Sequence, residues 1–292
     1  MVSFLYQMEE MGGIMTEDHT LQRKQDPEQI IRKWYRLLDF PEKYDHELNR
    51  SLQDIHIPET TCIESYDLQS EDGARNLLSF LYMCEKTDQL YTEKGISRDI
   101  LISTLKDIRV LTDTYDDAGK PFYLGELDWL KLHLSGKLFK LGRLQFAFGN
   151  ALCSSPLHGL KKGEPVLEIH IDNTRPLLPS ECSESFLLAG EFFKNHFPEY
   201  RYRYYTCESW LLGSSLAPML PENSNIMKFR HRFDLISEVP SDDILRYVFH
   251  WNTKRDRLPQ ETAGSSFAET VKKEILNGGR FYIGYGILSD PG

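Results

Sequence analysis

The hydrophobic periodicity of this chain changes near Arg143. Before that position, apolar residues such as Ile30, Trp34 and Leu38 recur every three or four positions, which is the spacing of an amphipathic helix. After it, short runs rich in β-branched and aromatic residues, such as residues 166–171, alternate with turn residues, as strands do. The sequence therefore predicts an α+β protein, with an all-helical amino-terminal domain followed by a mixed β-sheet domain flanked by helices.

The chain length of 292 residues also favours two domains, because a single hydrophobic core stops growing at about 250–300 residues. We predict a frayed or disordered extension over residues 1–25, a helical domain over residues 26–141 and an α/β domain over residues 142–292. Asp26 and Pro27 have the pattern of a helix cap followed by a proline in the first turn, and Ser97 has the pattern of a second cap. The predicted helices of this domain cover about residues 26–40, 72–93, 97–111 and 126–135.

The second domain alternates strands with helices. Its predicted strands cover residues 143–148, 166–171, 202–209, 226–236, 245–251 and 280–288, and its predicted helices cover about residues 180–197, 211–220 and 265–277. In open α/β sheets, ligands usually bind in the crevice outside the carboxyl ends of strands. Glu208, Ser209 and Trp210 fall at such an end, so we regard them as candidate site residues.

Composition and charge exclude several function classes. The formal net charge is 34 minus 44, or -10, which opposes binding to nucleic acid or to an anionic membrane surface. No apolar run reaches the roughly 20 residues of a membrane-spanning helix, and the amino terminus lacks the basic leader and cleavage site of a signal peptide. Five cysteines without a Cys-x-x-Cys pair predict a cytoplasmic protein with no metal site.

Two titratable residues share one face of the strand predicted at residues 166–171. Side chains alternate along a strand, so Glu168 and His170 face away from Leu167, Ile169 and Ile171. At i, i+2 spacing the two groups lie about 7 Å apart, close enough to share a substrate or a water. We therefore consider His170 as a candidate general base with Glu168 as its neighbouring carboxylate. The alternative is that both merely line the solvated face of a half-buried sheet.

The strand predicted at residues 202–209 carries two further candidates. Glu208 at the strand end, beside Trp210, could be desolvated and serve as a general base, or it could form a surface ion pair. Cys207 could act as a thiol nucleophile together with His170, although buried cysteines are far commoner.

On the strand predicted at residues 226–236, His231 is expected to be a hydrogen-bonded core histidine. Lys228, Arg230 and Arg232 would form a basic ladder on the opposite face, which either holds phosphate groups or is a solvated edge. The chain has no Walker-type loop and no GxGxxG after a strand. It also lacks a GxSxG elbow and an HExxH motif.

Several longer motifs occur in a fixed order along the chain. They are LDWLKLHLSGKLFKLGRLQF at residues 127–146, VLEIHI at 166–171, ESFLLAGEFFKNHFPEY at 184–200, CESWLL at 207–212, LPENSNIMKFRHRF at 220–233 and GGRFYIGYGIL at 278–288. Over most of its length the chain resembles a family of bacterial acyltransferase domain-containing proteins. These have a helical N-acyltransferase amino-terminal domain and a GNAT-like carboxyl-terminal domain.

The resemblance implies an N-acyltransferase that moves an acyl group from acyl-CoA, its cosubstrate, to an amine of a small molecule or a protein. The thioester would lie between the strands at 166–171 and 202–209, surrounded by the candidate catalytic residues Glu168, His170, Glu208 and Ser209. The residues that the resemblance implies for binding the cosubstrate are Ile169, Ile171, Asp172, Arg175 and Trp210.

One segment departs from the family pattern. GNAT enzymes generally carry a glycine-containing turn after the first of these strands, whose N–H groups hold pyrophosphate at a helix amino terminus. Residues 172–181 contain no glycine, and Pro176 and Pro179 each lack an N–H donor. The alternative is therefore a catalytically silent GNAT-like module that binds a ligand or a protein in the same cleft.

Overall fold

The computed structural model describes residues 26–53 and 72–289, so the extension predicted at residues 1–25 lies outside the described residues. The amino-terminal part of the chain is helical. Its helices are α1 (Pro27–Leu37), α2 (Asp45–Leu52), α3 (Gly73–Glu93), α4 (Arg98–Leu105), α5 (Asp107–Asp117) and α6 (Leu127–Leu134), with a short 3-10 helix at Glu42–Tyr44.

The predicted helix caps are present. The Asp26 side chain accepts a hydrogen bond from the N–H of Glu28 at 3.1 Å, ahead of Pro27 in the first turn of α1. The Ser97 hydroxyl accepts one from the N–H of Ile100 at the start of α4. The single helix predicted at residues 97–111 is two helices, because the chain turns at Lys106 and α5 starts again at Asp107.

Six strands form one mixed sheet. They are β1 (Leu138–Leu141), β2 (Leu144–Asn150), β3 (Pro165–His170), β4 (Tyr205–Ser209), β5 (Phe233–Pro240) and β6 (Tyr282–Leu288), in the order β1-β2-β3-β4-β6-β5. Neighbouring strands are antiparallel except for β3 and β4, which are parallel. A parallel pair requires a crossover, and here the connection contains the long helix α7 (Pro179–His196).

Shorter elements follow β4. Two 3-10 helices span Trp210–Leu212 and Ser214–Met219, and they precede α8 (Asn225–Arg230), which leads into β5. Between β5 and β6 lie α9 (Asp243–Val248), a 3-10 helix at Leu258–Gln260 and α10 (Ser266–Leu276).

Two strand predictions were wrong. Residues 226–231 belong to α8 and its carboxyl end, because the Ser224 hydroxyl caps this helix by accepting from the N–H of Met227 at 3.2 Å. Residues 245–251, also predicted as a strand, begin inside α9. Both segments are short, and over so few residues periodicity alone does not distinguish a helix from a strand. Strand β4 also starts three residues later than predicted, at Tyr205.

Strand β1 was not predicted, and it joins the helical part of the chain to the sheet. Its Lys140 N–H donates to the Thr104 hydroxyl of α4 at 2.9 Å. One apolar cluster continues from Trp34 in α1 through Phe139 in β1 to Phe193 in α7. The helices and the sheet therefore share a core, which holds α5 and α6 against one face of the sheet.

Among residues 26–53 and 72–289, the structure has no helix whose length and hydropathy would allow it to cross a membrane.

Candidate functional site

The parallel strands β3 and β4 are paired over only a short stretch. Leu167 pairs with Tyr205 and Glu168 with Thr206, and no further pair follows although β3 continues to His170 and β4 to Ser209. The carboxyl ends of the two strands therefore leave a notch in the middle of the sheet. The other edge of β4 is paired with β6. The unpaired backbone groups at the end of β4 therefore face β3.

This notch opens into a cleft of about 740 Å³. Its walls come from both halves of the chain: α5 and α6 on one side, and the ends of β3 and β4, the loop after β3 and α9 on the other. Most of the predicted site residues line it, namely Ile169, His170, Ile171, Asp172, Arg175, Glu208, Ser209 and Trp210. These eight predicted positions therefore lie around one cleft, whereas the ninth, Glu168, does not line it.

Glu168 and His170 share one face of β3, as the alternation of the strand predicted. Their side chains approach to 3.6 Å between Glu168 Oε2 and His170 Nε2. His170 Nε2 is buried and accepts or donates no hydrogen bond within the described part of the chain. The imidazole is therefore oriented toward a carboxylate but retains hydrogen-bonding capacity.

Glu208 lies across the notch from this pair. Partial burial in the cleft, followed by the negative charges of Glu168 and Asp243, raises the pKa of its carboxyl group, which the nearby His170 partly offsets. A carboxylate with a raised pKa is a better proton acceptor. Next to it, the Ser209 hydroxyl accepts from the N–H of Leu211 at 3.2 Å, which leaves its O–H free to donate.

Cys207 also borders the cleft, but its side chain is only 1% exposed. Burial, followed by the charges of Glu208 and Glu168, strongly raises the pKa of its thiol. The thiolate is the nucleophilic form of cysteine, so the geometry does not support the thiol nucleophile that the sequence left open.

The helical half of the chain contributes side chains that the sequence did not single out. The Trp129 ring of α6 packs edge-on against the His170 ring at 4.6 Å. One turn later, His133 is fully buried, with Nε2 at 3.0 Å from Asp107 Oδ2 and Nδ1 at 3.3 Å from the carbonyl oxygen of Trp129. The only indication in the sequence was the i, i+4 spacing of Trp129 and His133, which puts them on one face of a helix.

The loop after β3 is built around a buried cation. The Arg143 guanidinium donates to the carbonyl oxygens of Asp172, Arg175 and Pro176 at 2.6–3.0 Å. Although burial acts to raise the pKa of Asp172, hydrogen bonds from Lys140 and Thr174 hold it below its usual value. The loop therefore has a defined shape without glycine, because side chains and not a tight glycine turn satisfy its polar groups.

At the end of this loop, the amino terminus of α7 faces outward. Leu178 precedes the helix, and no side chain of the described residues caps its first N–H groups. Arg175 is exposed nearby and lies 3.4 Å from Glu181. An uncapped helix amino terminus beside an arginine can bind an anion such as a phosphate.

Two predictions about the 226–236 segment were wrong. His231 is not a core residue: it is exposed at the end of α8 and its Nε2 lies 3.3 Å from Glu222 Oε1. Lys228, Arg230 and Arg232 do not form a ladder along a strand, because the segment is helical. Arg232 is instead buried and donates to the Pro179 carbonyl and the Ser183 hydroxyl of α7. Trp210, predicted at the carboxyl end of the strand at residues 202–209, begins a 3-10 helix.

The far end of the cleft is aromatic and charged. The Arg246 guanidinium of α9 lies 3.6 Å from the centre of the Trp251 ring and 3.5 Å from Glu126. The Trp210 and Tyr247 rings stack at 6.1 Å. Near the notch, the cleft brings together the Glu208 carboxyl group, the His170 imidazole and the Ser209 hydroxyl. Groups of these three kinds can transfer protons during a reaction.

Comparison with known proteins identifies the family and the fold. Residues 138–288 match the family described as the GNAT-like C-terminal domain. The fold is similar to a crystal structure of an acyltransferase in complex with decanoyl-CoA and teicoplanin, at 23% identity and a TM-score of 0.72, covering 88% of this chain and 87% of the other.

Two further crystal structures are similar to the chain. One is an acyltransferase mutant in complex with octanoyl-CoA, at 22% identity and a TM-score of 0.73, covering 89% of this chain and 87% of that one. The other is an acyltransferase in complex with decanoyl-CoA, at 22% identity and a TM-score of 0.65, covering 89% and 99%. No curated protein matched the sequence.

Proposed function

The chain belongs to the family defined by the GNAT-like C-terminal domain, and from this premise we propose that it is an N-acyltransferase that moves an acyl group from acyl-CoA to an amine. The observation that carries the proposal is the notch between β3 and β4, with Glu168 and His170 on one side and Glu208 and Ser209 on the other. The similar solved structures, which hold decanoyl-CoA or octanoyl-CoA, support the choice of donor.

The residues around the notch fit an acyl-CoA. The pantetheine arm carries amide groups, and the edge of β3 beyond Glu168, which has no paired neighbour on the β4 side, offers backbone groups to them. The pyrophosphate would lie at the uncapped amino terminus of α7, where Arg175 supplies a positive charge. Pro179 lacks an N–H and Glu181 carries a like charge, so we expect binding to be weaker than at a glycine-rich turn.

In this proposal Glu208 is the base. Its carboxylate takes a proton from the ammonium form of the acceptor, and the freed amine nitrogen attacks the thioester carbonyl carbon. As the carbon–nitrogen bond forms, the carbon–sulfur bond breaks, and the leaving sulfur receives a proton from the Ser209 hydroxyl. The nitrogen then gives up its second proton, which passes through water to the Ser209 oxygen and restores the hydroxyl. The reaction releases the amide, the free CoA thiol and one proton to solvent. His170, beside Glu168, supports the transfer by offsetting part of the negative charge of the carboxyl groups around the notch.

The chemical class of the acceptor follows from the same residues. The raised pKa of the Glu208 carboxyl group makes its carboxylate a stronger base, as removal of a proton from a primary amine requires. A small-molecule amine fits the cleft of about 740 Å³. We place the protein in the cytoplasm, where acyl-CoA is made available.

Two measurements on the purified chain test the proposal. Thermal shift with CoA, acetyl-CoA, octanoyl-CoA and decanoyl-CoA reports binding, because a ligand at 100 times its Kd stabilises a fold by about 2.7 kcal/mol. Release of the CoA thiol in the presence of a panel of primary amines reports turnover. Glu208→Gln is expected to abolish release and keep CoA binding.

Glu222→Gln is the matched control, because it removes the same charge from a side chain that is 78% exposed at a distance from the cleft. It is expected to behave like the unchanged protein. No thermal shift with millimolar CoA would contradict the proposal. CoA binding without release to any amine would instead support the silent ligand-binding module.

A further inference from the structure

His170 is connected to the helical half of the chain by a closed circuit of contacts. Gln145 of β2 is the direct cross-strand partner of His170 of β3. The Gln145 amide donates to Asp107 Oδ2 at the start of α5, and the same oxygen contacts His133 Nε2 of α6 at 3.0 Å. His133 Nδ1 contacts the carbonyl oxygen of Trp129 at 3.3 Å, and the Trp129 ring returns to His170 at 4.6 Å.

The polar side chains of this circuit are buried. The residue exposures are 0% for His133, 1% for Gln145 and 9% for Asp107. Most buried polar groups in folded proteins are hydrogen-bonded, and a network in which each member is satisfied holds its side chains rigidly. The rigid side chains of this network therefore connect the part of the sheet that carries His170 to helices α5 and α6.

The circuit has a definite effect on Trp129. This residue is half-buried, and it forms the wall of the cleft nearest to His170. His133 follows it by four residues on the same helix face, and the two rings pack edge to face at 5.3 Å. With His133 anchored to Asp107, the indole has a fixed surface behind it and the imidazole of His170 in front.

We propose that Asp107 and His133 are positioning residues for the transfer reaction, which hold Trp129 and Gln145 so that the imidazole of His170 stays beside Glu168. The inference rests on the proposed function for its kinetic consequence, because only there does His170 serve a reaction. It also assigns a role to the helical half of the chain: α5 and α6 complete the active site as well as burying the core.

The test is chemical labelling of His170 by diethyl pyrocarbonate, followed by peptide mass spectrometry of the full chain. In the unchanged protein the His170 side chain is 27% exposed beneath Trp129, so labelling should be slow. Asp107→Asn and His133→Gln are expected to raise the labelling rate of His170 at least fivefold. Exposed histidines such as His46, with an 85% exposed side chain, serve as internal references.

Thr87→Val is the matched structural control. The buried Thr87 hydroxyl also links two helices, by donating to the Leu134 carbonyl at 2.9 Å, but it lies outside the circuit. It is expected to lower the melting temperature without changing the labelling of His170. Should Asp107→Asn fail to fold, Trp129→Phe gives the second measurement, with a smaller ring over His170 and the polar contacts intact.

The kinetic readout uses whichever amine supports CoA release. Asp107→Asn is expected to lower kcat at least tenfold with an unchanged KM for acyl-CoA. Asp107→Glu, which keeps the carboxylate, should recover part of kcat. Unchanged labelling of His170 in both Asp107→Asn and Trp129→Phe would overturn the inference. Absent CoA release in the unchanged protein would defeat the proposed function but leave the labelling result to decide this one.

Discussion

Gly149 of β2 lies directly against the carboxylate of Glu168 on the neighbouring strand β3. A methyl group built at Gly149 would overlap the Glu168 side chain from Cγ to Oε1. The absence of a side chain at one position therefore defines where the carboxylate of the other can lie. This contact leads to the first prediction, because it offers a way to move Glu168 without removing it.

Gly149→Ala should displace the Glu168 carboxylate from His170. The clashing atoms belong to the end of a flexible side chain, so the cost in stability should be small, about 1 kcal/mol. We expect CoA release to fall severalfold while the melting temperature changes by only a few degrees. Gly264→Ala is the control, because a methyl group there meets open space. Equal activity in both variants would show that the position of Glu168 does not matter.

Glu168→Gln should change the pH dependence of the reaction. The negative charge of Glu168 contributes to raising the pKa of Glu208, so its removal lowers that pKa toward the ordinary value. If the base form of Glu208 is required, the acid limb of kcat/KM moves to lower pH in this variant. The pH profile of CoA release, measured from about pH 4.5 to pH 8, checks this, and an acid limb that stays in place or rises would contradict it.

Glu208→Gln should stabilise the fold while it abolishes activity. The folded-state pKa of Glu208 lies above its unfolded value, so the folded protein binds this proton more tightly. That contribution to stability is present at low pH and is lost as the pH rises through the folded pKa. At pH 7 the carboxylate therefore opposes folding, and the neutral amide does not.

Although the cleft removes part of the water around its carboxyl group, Glu208 remains an exposed residue, so the gain in melting temperature should be on the order of 1 °C at pH 7. It should disappear at pH 4, where the two side chains carry similar charge. Calorimetry at both pH values measures it. A melting temperature that falls at pH 7 would show that the carboxylate makes a stabilising contact.

Gly284→Ala should destabilise the fold more than Gly286→Ala. Both glycines lie on β6, but a methyl group at Gly284 would come within 2.8 Å of the backbone of Leu212, whereas at Gly286 the nearest atoms are 3.1 Å or more away. Backbone cannot move as freely as a side-chain end, so we expect a loss of about 2–3 kcal/mol for Gly284→Ala and a smaller loss for Gly286→Ala. Urea denaturation of both variants tests the order.

Much of the fold could be predicted from local patterns. The caps at Asp26 and Ser97, helix α7 and the two central strands follow from residue spacing and from which side chains can bond to nearby backbone. The same period placed Glu168 and His170 on one face of a strand. The error at residues 226–231 also comes from the use of local patterns, because a helix of six residues has too few turns to show its period.

The predicted positions His170, Glu208 and Ser209 line one cleft, with Glu168 beside His170, and their catalytic roles stay predictions. Residue spacing gave no reason to select Asp107, Gln145 or Arg143. Each becomes notable only through a partner more than 25 positions away.

Local residue patterns were enough to predict most of the helices and strands and the face of β3 that carries titratable groups, because those features depend on backbone geometry within a few residues. The parallel pairing of β3 and β4 over two positions, and the notch beyond it, became evident from the three-dimensional structure. So did the contact between the Trp129 and His170 rings. Such contacts depend on the packing of distant segments into a shared core, which no local period encodes.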